Sequence, residues 1–436
     1  LWLTGSGLRP GRRSPSTQWP RVASADRSAA RCCPAQSAGR MVGMPADTCI
    51  YLDNHATTRL DPLVLEAMLP WLTDHYGNAG SGTHDLGLEA RAAVEAARGQ
   101  VAAAVGATPR EIVFTSGATE SVNLALIGAA GRRPGSRLVV AATEHAAVLD
   151  TAEHLRQQGW PVTTLPVAGR DTDCPGLIDL DRLAAAVDDQ TAVVSVMLAN
   201  NEIGSIQPVA QIAQVVHDCG ALLHVDCAQA IGNLAVDVDA LGADLASFSA
   251  HKCHGPKGVG AVYVRRRQRL VRLDAQVFGG GQERGLRSGT LNVPGIVGMG
   301  RACELAAAGL PTVPAAVAAL RDRLWQRLAA GVAGLRLNGP PLEPALRLPN
   351  NLNVEFPGID GGTLLAELSR AGVAASAGSA CSSDQPRPSH VLLAVGLSDE
   401  EARRSLRFGL SRLTTAAEID RAAAAILAAF RRLTGP

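Results

Sequence analysis

From Cys49 onward, short apolar runs rich in β-branched residues alternate with segments whose apolar positions recur every three or four residues. The runs Glu111–Phe114, Leu138–Ala141, Val162–Leu165, Ala192–Leu198, Ala221–Val225, Leu245–Ser249 and Ala261–Val264 have strand length and composition. Between several of them the stretches Ala146–Gln158, Leu180–Val187 and Val209–Cys219 follow a helical period. Such alternation implies right-handed crossovers and an α/β fold, with a mostly parallel sheet covered by helices. Beyond about residue 310 the texture changes. A long Ala/Leu/Arg helix (Val313–Ala333) leads to a strand (Asn351–Phe356), a helix (Gly361–Ala371) and a Gly/Ser loop. A strand at Ser405–Phe408 follows, then a final helix opened by the capping box Thr415-Ala-Ala-Glu418. This reads as a smaller α+β domain.

At 436 residues the chain exceeds one ordinary compact domain. The expected division is a large domain over 61–310 and a small C-terminal domain over 311–436, with an N-terminal segment, 45–60, packing against the small one. Residues 1–40 hold seven arginines, the single acid Asp26 and no hydrophobic period. They read either as an organelle-type targeting segment or, the favoured expectation for 1–44, as a disordered extension or a misplaced start ahead of Met41 or Met44.

Hydrophobic residues at 47% and charged residues at 19% permit a sizeable core, and a net charge of +1 favours neither nucleic acid nor an acidic membrane surface as partner. No apolar run is long enough to span a bilayer. The nine cysteines show no zinc spacing and are expected to be reduced thiols of a cytoplasmic protein.

Lysine is where composition becomes informative. The stretch "SFSAHKCHGPKG" (247–258) holds the only two, Lys252 and Lys257, while every other basic aliphatic position is arginine. Arginine replaces a solvated lysine cheaply, but not an amine that must lose its proton to become a nucleophile. Lys252 follows a strand end, and in open α/β sheets ligands bind beyond such ends. No chemical role is assigned to Lys257. Nearby strand ends carry matching chemistry. "FTSGATES" (114–121) is a strand, a small-residue turn and a helix start suited to an anion, although a plain capped turn looks the same. "HVDCAQ" places Asp226 at a buried strand end, where it either meets a cation or caps a helix. His145 in "TEHAAVLD" is a candidate acid/base or ring-stacking group. A Schiff-base lysine with an acid for a ring nitrogen is what a pyridoxal-phosphate enzyme needs.

With "YLDNHATT" (51–58), "NNEIGSIQP" (200–208), "GGGQERGLRSGT" (279–290) and "SAGSACSS" (376–383), these stretches form an ordered series that closely resembles the cysteine desulfurases. That family consists of class V aminotransferase-type, fold-type I pyridoxal-phosphate enzymes. The Gly/Ser-rich "GSACSS" is similar to the NifS-like and IscS-like subgroup, and the "GHHC" loop of SufS-like members is absent. The resemblance implies that Lys252 forms the Schiff base, Asp226 holds the ring nitrogen, Gln229 meets the phenolic oxygen and His145 stacks on the ring and moves protons. It gives Ala118, Thr119, Ser249 and His251 cofactor and phosphate contacts. Asn201 is placed near both cofactor and substrate, Arg407 on the substrate carboxylate and Asn78 as a weaker helper. Thr290 would reach the phosphate of a second subunit, implying a homodimer.

Cys381 would take sulfur from L-cysteine as a persulfide, leaving L-alanine. It would serve transiently as an iron–sulfur ligand while passing sulfur to an acceptor or iron–sulfur scaffold protein. The rival readings are a selenocysteine lyase or another class V aminotransferase, a non-catalytic sulfur carrier, and a thiol hydrolase. The last leaves Lys252 and Asp226 unexplained.

Overall fold

The computed structural model describes residues 49–377 and 388–435. Their strands in chain order are β1 Ile50–Tyr51, β2 Ile112–Thr115, β3 Arg137–Ala141, β4 Val162–Leu165, β5 Thr191–Met197 and β6 Leu222–Asp226. These are followed by β7 Leu245–Ser249, β8 Gly260–Val264, β9 Arg336–Leu337, β10 Asn351–Glu355, β11 Val373–Ala374 and β12 Ser405–Gly409.

Seven strands form the main sheet, in the order β2-β8-β7-β6-β5-β3-β4. Neighbours are parallel except at β8, which runs antiparallel to both β2 and β7. Side chains alternate across the sheet as a two-residue period requires. Val139, Ala141, Val194 and Val196 enter one core, while Leu138, Val140 and Val193 enter the other. Helices Asp85–Ala104 and Val293–Gly309 cover the first face, and Ala118–Ala130 and Ala146–Gln157 the second. Covering both faces explains why these strands read as continuous apolar runs. The Asp85–Ala104 and Val293–Gly309 helices were not anticipated, because their buried faces are largely Ala and Gly and give weak periodicity.

A separate core forms around the antiparallel sheet β12-β10-β9 and the helices Val313–Gly331, Gly361–Arg370 and Ala416–Thr434. The last helix opens with the expected capping box: Thr415 N–H donates to Glu418 Oε2 at 2.8 Å and Glu418 N–H to Thr415 Oγ1 at 3.2 Å. Strand β1 pairs in parallel with β11, and Ile50 and Leu52 enter this second core. Among the described residues no single helix is long and apolar enough to cross a membrane.

Candidate active site

A cavity of ≈ 520 Å³ opens at the carboxyl ends of the parallel strands, within the range of small-molecule sites. Ala118, Thr119, His145, Asn201, Asp226, Gln229, Ser249, His251 and Lys252, all singled out from sequence, line it together. They come from the turns after β2, β3, β5, β6 and β7, so the sheet itself brings distant chain segments to one rim.

Gly117, at φ 155°, precedes helix Ala118–Ala130, and no side chain caps the helix start. Its first-turn N–H groups therefore face the cavity as an anion site. A Cβ at Gly260 on β8 would come 2.6 Å from Gly117 Cα, so glycine there lets the sheet edge close against this turn.

Asp226 ends β6, is 6% exposed, and accepts a hydrogen bond from Ala228 N–H at 2.9 Å. Burial raises its pKa, opposed by that bond and by the charges of His145 and Lys252. The carboxylate is costly to ionise alone and suits a cationic ring atom. His145 is the N-cap of helix Ala146–Gln157, its Nδ1 accepting from Ala147 N–H at 3.0 Å. That bond places the proton of the neutral ring on Nε2, and burial lowers the ring's pKa despite Asp226. His251 contacts Thr57 Oγ1 at 3.1 Å, and burial with the charges of Lys252 and Lys257 brings it down to about 4. Lys252 Nζ donates to Ala56 O at 2.9 Å and to His55 O.

Arg407 on β12 lies outside the cavity lining but is tied to it, donating to Asn201 O at 3.1 Å and to Asp53 Oδ1 at 2.9 Å. The side chain is 3% exposed and its Nε has no partner. A buried unpaired donor favours an anionic ligand completing the site.

Cys381 lies outside the described residues, but those on either side of it are held at this rim. Ser376 and Arg407 exchange backbone hydrogen bonds at 3.2 and 2.7 Å. Ser389 Oγ donates to Glu202 Oε2 at 2.5 Å and His390 Nε2 donates to Glu144 O at 2.9 Å. Asn78 and Thr290 do not line the cavity. Both are exposed, and Asn78 Oδ1 turns back to accept from Gly80 N–H at 2.8 Å.

Sequence reasoning gave no role to Asp53, His55, Ala56 or Thr57, although the motif containing them was noticed. They lie in a short N-terminal segment without periodicity and reach the rim only through long-range contacts. Lys257, left without a role, lines the cavity beside Lys252.

An uncapped helix start, a buried acid, a flanking histidine and a lysine amine around one cavity fit a flat anionic cofactor carrying a basic ring nitrogen. Among known proteins, the sequence profile of the aminotransferase class-V family matches residues 50–422. A cysteine desulfurase IscS of Anaeromyxobacter dehalogenans is 50% identical over 373 residues, 85% of this chain and 90% of its own length. The cysteine desulfurase of Rattus norvegicus is 47% identical over 85% of this chain and 80% of its own length. Among solved structures, a NifS-like protein superposes with a TM-score of 0.80 at 40% identity, over 87% of this chain and 98% of its own. A protein described as SspA in complex with cysteine superposes with a TM-score of 0.72 at 35% identity, over 84% and 99%.

Proposed function

The chain belongs to the aminotransferase class-V family, and from that premise we infer its reaction: removal of sulfur from L-cysteine, giving L-alanine and a persulfide on Cys381. It is a pyridoxal-phosphate-dependent cysteine desulfurase. The observation that carries this is the convergence of Lys252, Asp226 and His145 around one cavity with an uncapped helix start, next to a buried arginine that lacks a partner for one donor.

When bound, pyridoxal phosphate supplies an electron sink for the carbon bearing the substrate amine. The helix start at Ala118 and Thr119, with Ser249 and His251, would hold its phosphate, and Asp226 would keep a proton on its ring nitrogen. Lys252 would hold it through its amine, and the same amine is placed to move the proton from the substrate's α-carbon. Arg407 takes the substrate carboxylate, turning its free donors to that task, with Asn201 beside it. Cys381 thiolate attacks the substrate sulfur: an S–S bond forms, the C–S bond breaks, and its electron pair stays on carbon. His145 Nε2 is placed to carry protons to or from the leaving carbon.

Purified protein given L-cysteine and a thiol reductant should release sulfide and alanine in equal amounts. Cys381→Ala should keep the cofactor's visible absorbance and release no sulfide; undiminished release would sink the assignment. Selenocysteine as the preferred substrate would move the enzyme to the lyase class.

We further propose a cytoplasmic homodimer that hands its sulfur to an acceptor or iron–sulfur scaffold protein, with Cys381 a transient ligand to the nascent cluster. Free thiols at every described cysteine support a reducing compartment. Phe278, 83% exposed on the segment leading to Thr290, supports cover by a second copy.

A further inference from the structure

His55 does not itself line the cavity, yet it is 1% exposed and both nitrogens of its ring are engaged. Its neighbours fix the direction of each bond. Arg347 can only donate, and its Nη1 meets Asn351 Oδ1 at 2.9 Å. The Glu202 carbonyl can only accept, and it accepts a hydrogen bond from Asn351 Nδ2 at 2.9 Å. Both partners orient the Asn351 amide the same way, so Nδ2 donates its other hydrogen to His55 Nε2 at 3.3 Å. The His55 proton must then sit on Nδ1 and point at Gln229 Oε1, 3.0 Å away.

The far end gives the same answer independently. The His55 carbonyl accepts from Gln229 Nε2 at 3.0 Å, which leaves Gln229 Oε1 as the atom facing the ring. Gln229 lines the cavity, and with its oxygen turned to the His55 ring it presents its second Nε2 hydrogen there. Burial, Arg407 and Lys252 hold the ring's pKa down to about 3 against the bonds to Gln229 and to the Asn350 backbone, so the ring stays neutral across the working pH range.

We propose that His55 is a positioning residue that transmits hydrogen-bond polarity from Arg347 and Asn351 to Gln229, so that the site offers a donor, never an acceptor, to an oxygen of the bound cofactor. This rests on the reading above that Gln229 faces the cofactor's phenolic oxygen. A donor there makes that oxygen less basic and weakens its hold on the proton shared with the lysine-bound nitrogen. Losing the donor makes that proton harder to remove.

The test is a pH titration of the visible absorbance of the lysine-bound cofactor, with nitrogen-15 NMR of the histidines in the cofactor-free protein. His55→Phe, which keeps the volume and removes both polar atoms, should raise the pH midpoint by roughly half a unit to one unit. His55→Gln, a donor and acceptor on one side chain, should return it to near the parent value. Asn351→Asp, a change outside the cavity lining, should reverse the tautomer and shift the midpoint upward as well. NMR should show His55 protonated at Nδ1 and not titrating between about pH 5 and 9.

A proton at Nε2 overturns the relay. So does an upward shift in Gln229→Leu with none in His55→Phe. No shift in Gln229→Leu instead overturns the cofactor-facing reading of Gln229, while the NMR result still reports on the ring.

Discussion

The two cores bring different charges to the cavity. Around the seven-stranded sheet the buried titratable groups include acids and histidines displaced from their ordinary pKa, alongside the arginines Arg98 and Arg265. Burial and the nearby charge of Asp226 push Glu144 well up, Asp226 is raised, and His224 falls to about 3 through burial. Around the three-stranded sheet the arginines Arg321, Arg347 and Arg407 are each at most 3% exposed, with the buried acid Glu355, its pKa raised by burial, on β10. Arg347, pressed by burial and by Arg321, falls to about 9, which still leaves it charged at neutral pH. At the cavity itself Asp226, His145 and His251 come from the large sheet, and the charged Arg407 reaches its rim from the small one, tied there through Asn201.

The most severe way to break that division is Lys252→Arg, which keeps the charge and removes the chemistry. Sulfide release should fall by about 10³-fold or more and the visible cofactor band should vanish, while far-UV circular dichroism stays that of the parent. Cys381→Ala differs in keeping the band, so the pair separates cofactor chemistry from sulfur transfer. Next comes Arg407→Lys. It keeps the positive charge but loses the planar fork, and should raise KM for L-cysteine about 30-fold, roughly 2 kcal/mol, without moving the band.

Smaller is the acid sensitivity of the sheet half. His224 is wedged between Ser195 Oγ and Ser247 Oγ, both at 2.8 Å, and stays neutral when folded. Its folded pKa of about 3 lies below the unfolded value, so its contribution is complete above the unfolded pKa and is lost as pH falls toward 3. Denaturant titrations from pH 7 to 4 should show His224→Gln with a shallower slope, by up to about 1.4 kcal/mol per pH unit. Parallel slopes would mean that the ring is charged in the fold. Smallest is Lys257→Ala. With an exposed ammonium at the cavity mouth lost, affinity for pyridoxal phosphate should fall about two- to threefold at low salt and be unchanged at high salt, as read by equilibrium dialysis.

How much of this was legible in sequence follows the same divide. The strand runs, the turn at Ser116–Thr119 and the residues after β6 and β7 were readable because a two-sided sheet forces apolar strands with chemistry at their ends. The lysine scarcity marked Lys252 before any fold was considered. Asp53, His55 and Glu202 were not readable. Each acts through partners more than 140 residues away in the chain: Asp53 through Arg407, His55 through Gln229, and Glu202 through Ser389 and Asn351. No local period encodes such contacts. Lys257 shows the converse, visible as an oddity but without meaning until β7 and β8 brought it to the same cavity as Lys252.

Two lysines in the chain, both lining one cavity, have a practical consequence for anyone handling the protein. Apart from the terminal amine, all of its amine chemistry is confined to the active site. A lysine-specific endoprotease acting on the denatured chain cuts at two bonds and yields three fragments. After borohydride reduction fixes the cofactor to Lys252, only the bond after Lys257 stays cleavable and two fragments remain. A mass spectrum of the digest then gives the fraction of molecules that carried the cofactor, because the peptide 253–257 is released only from those that did not.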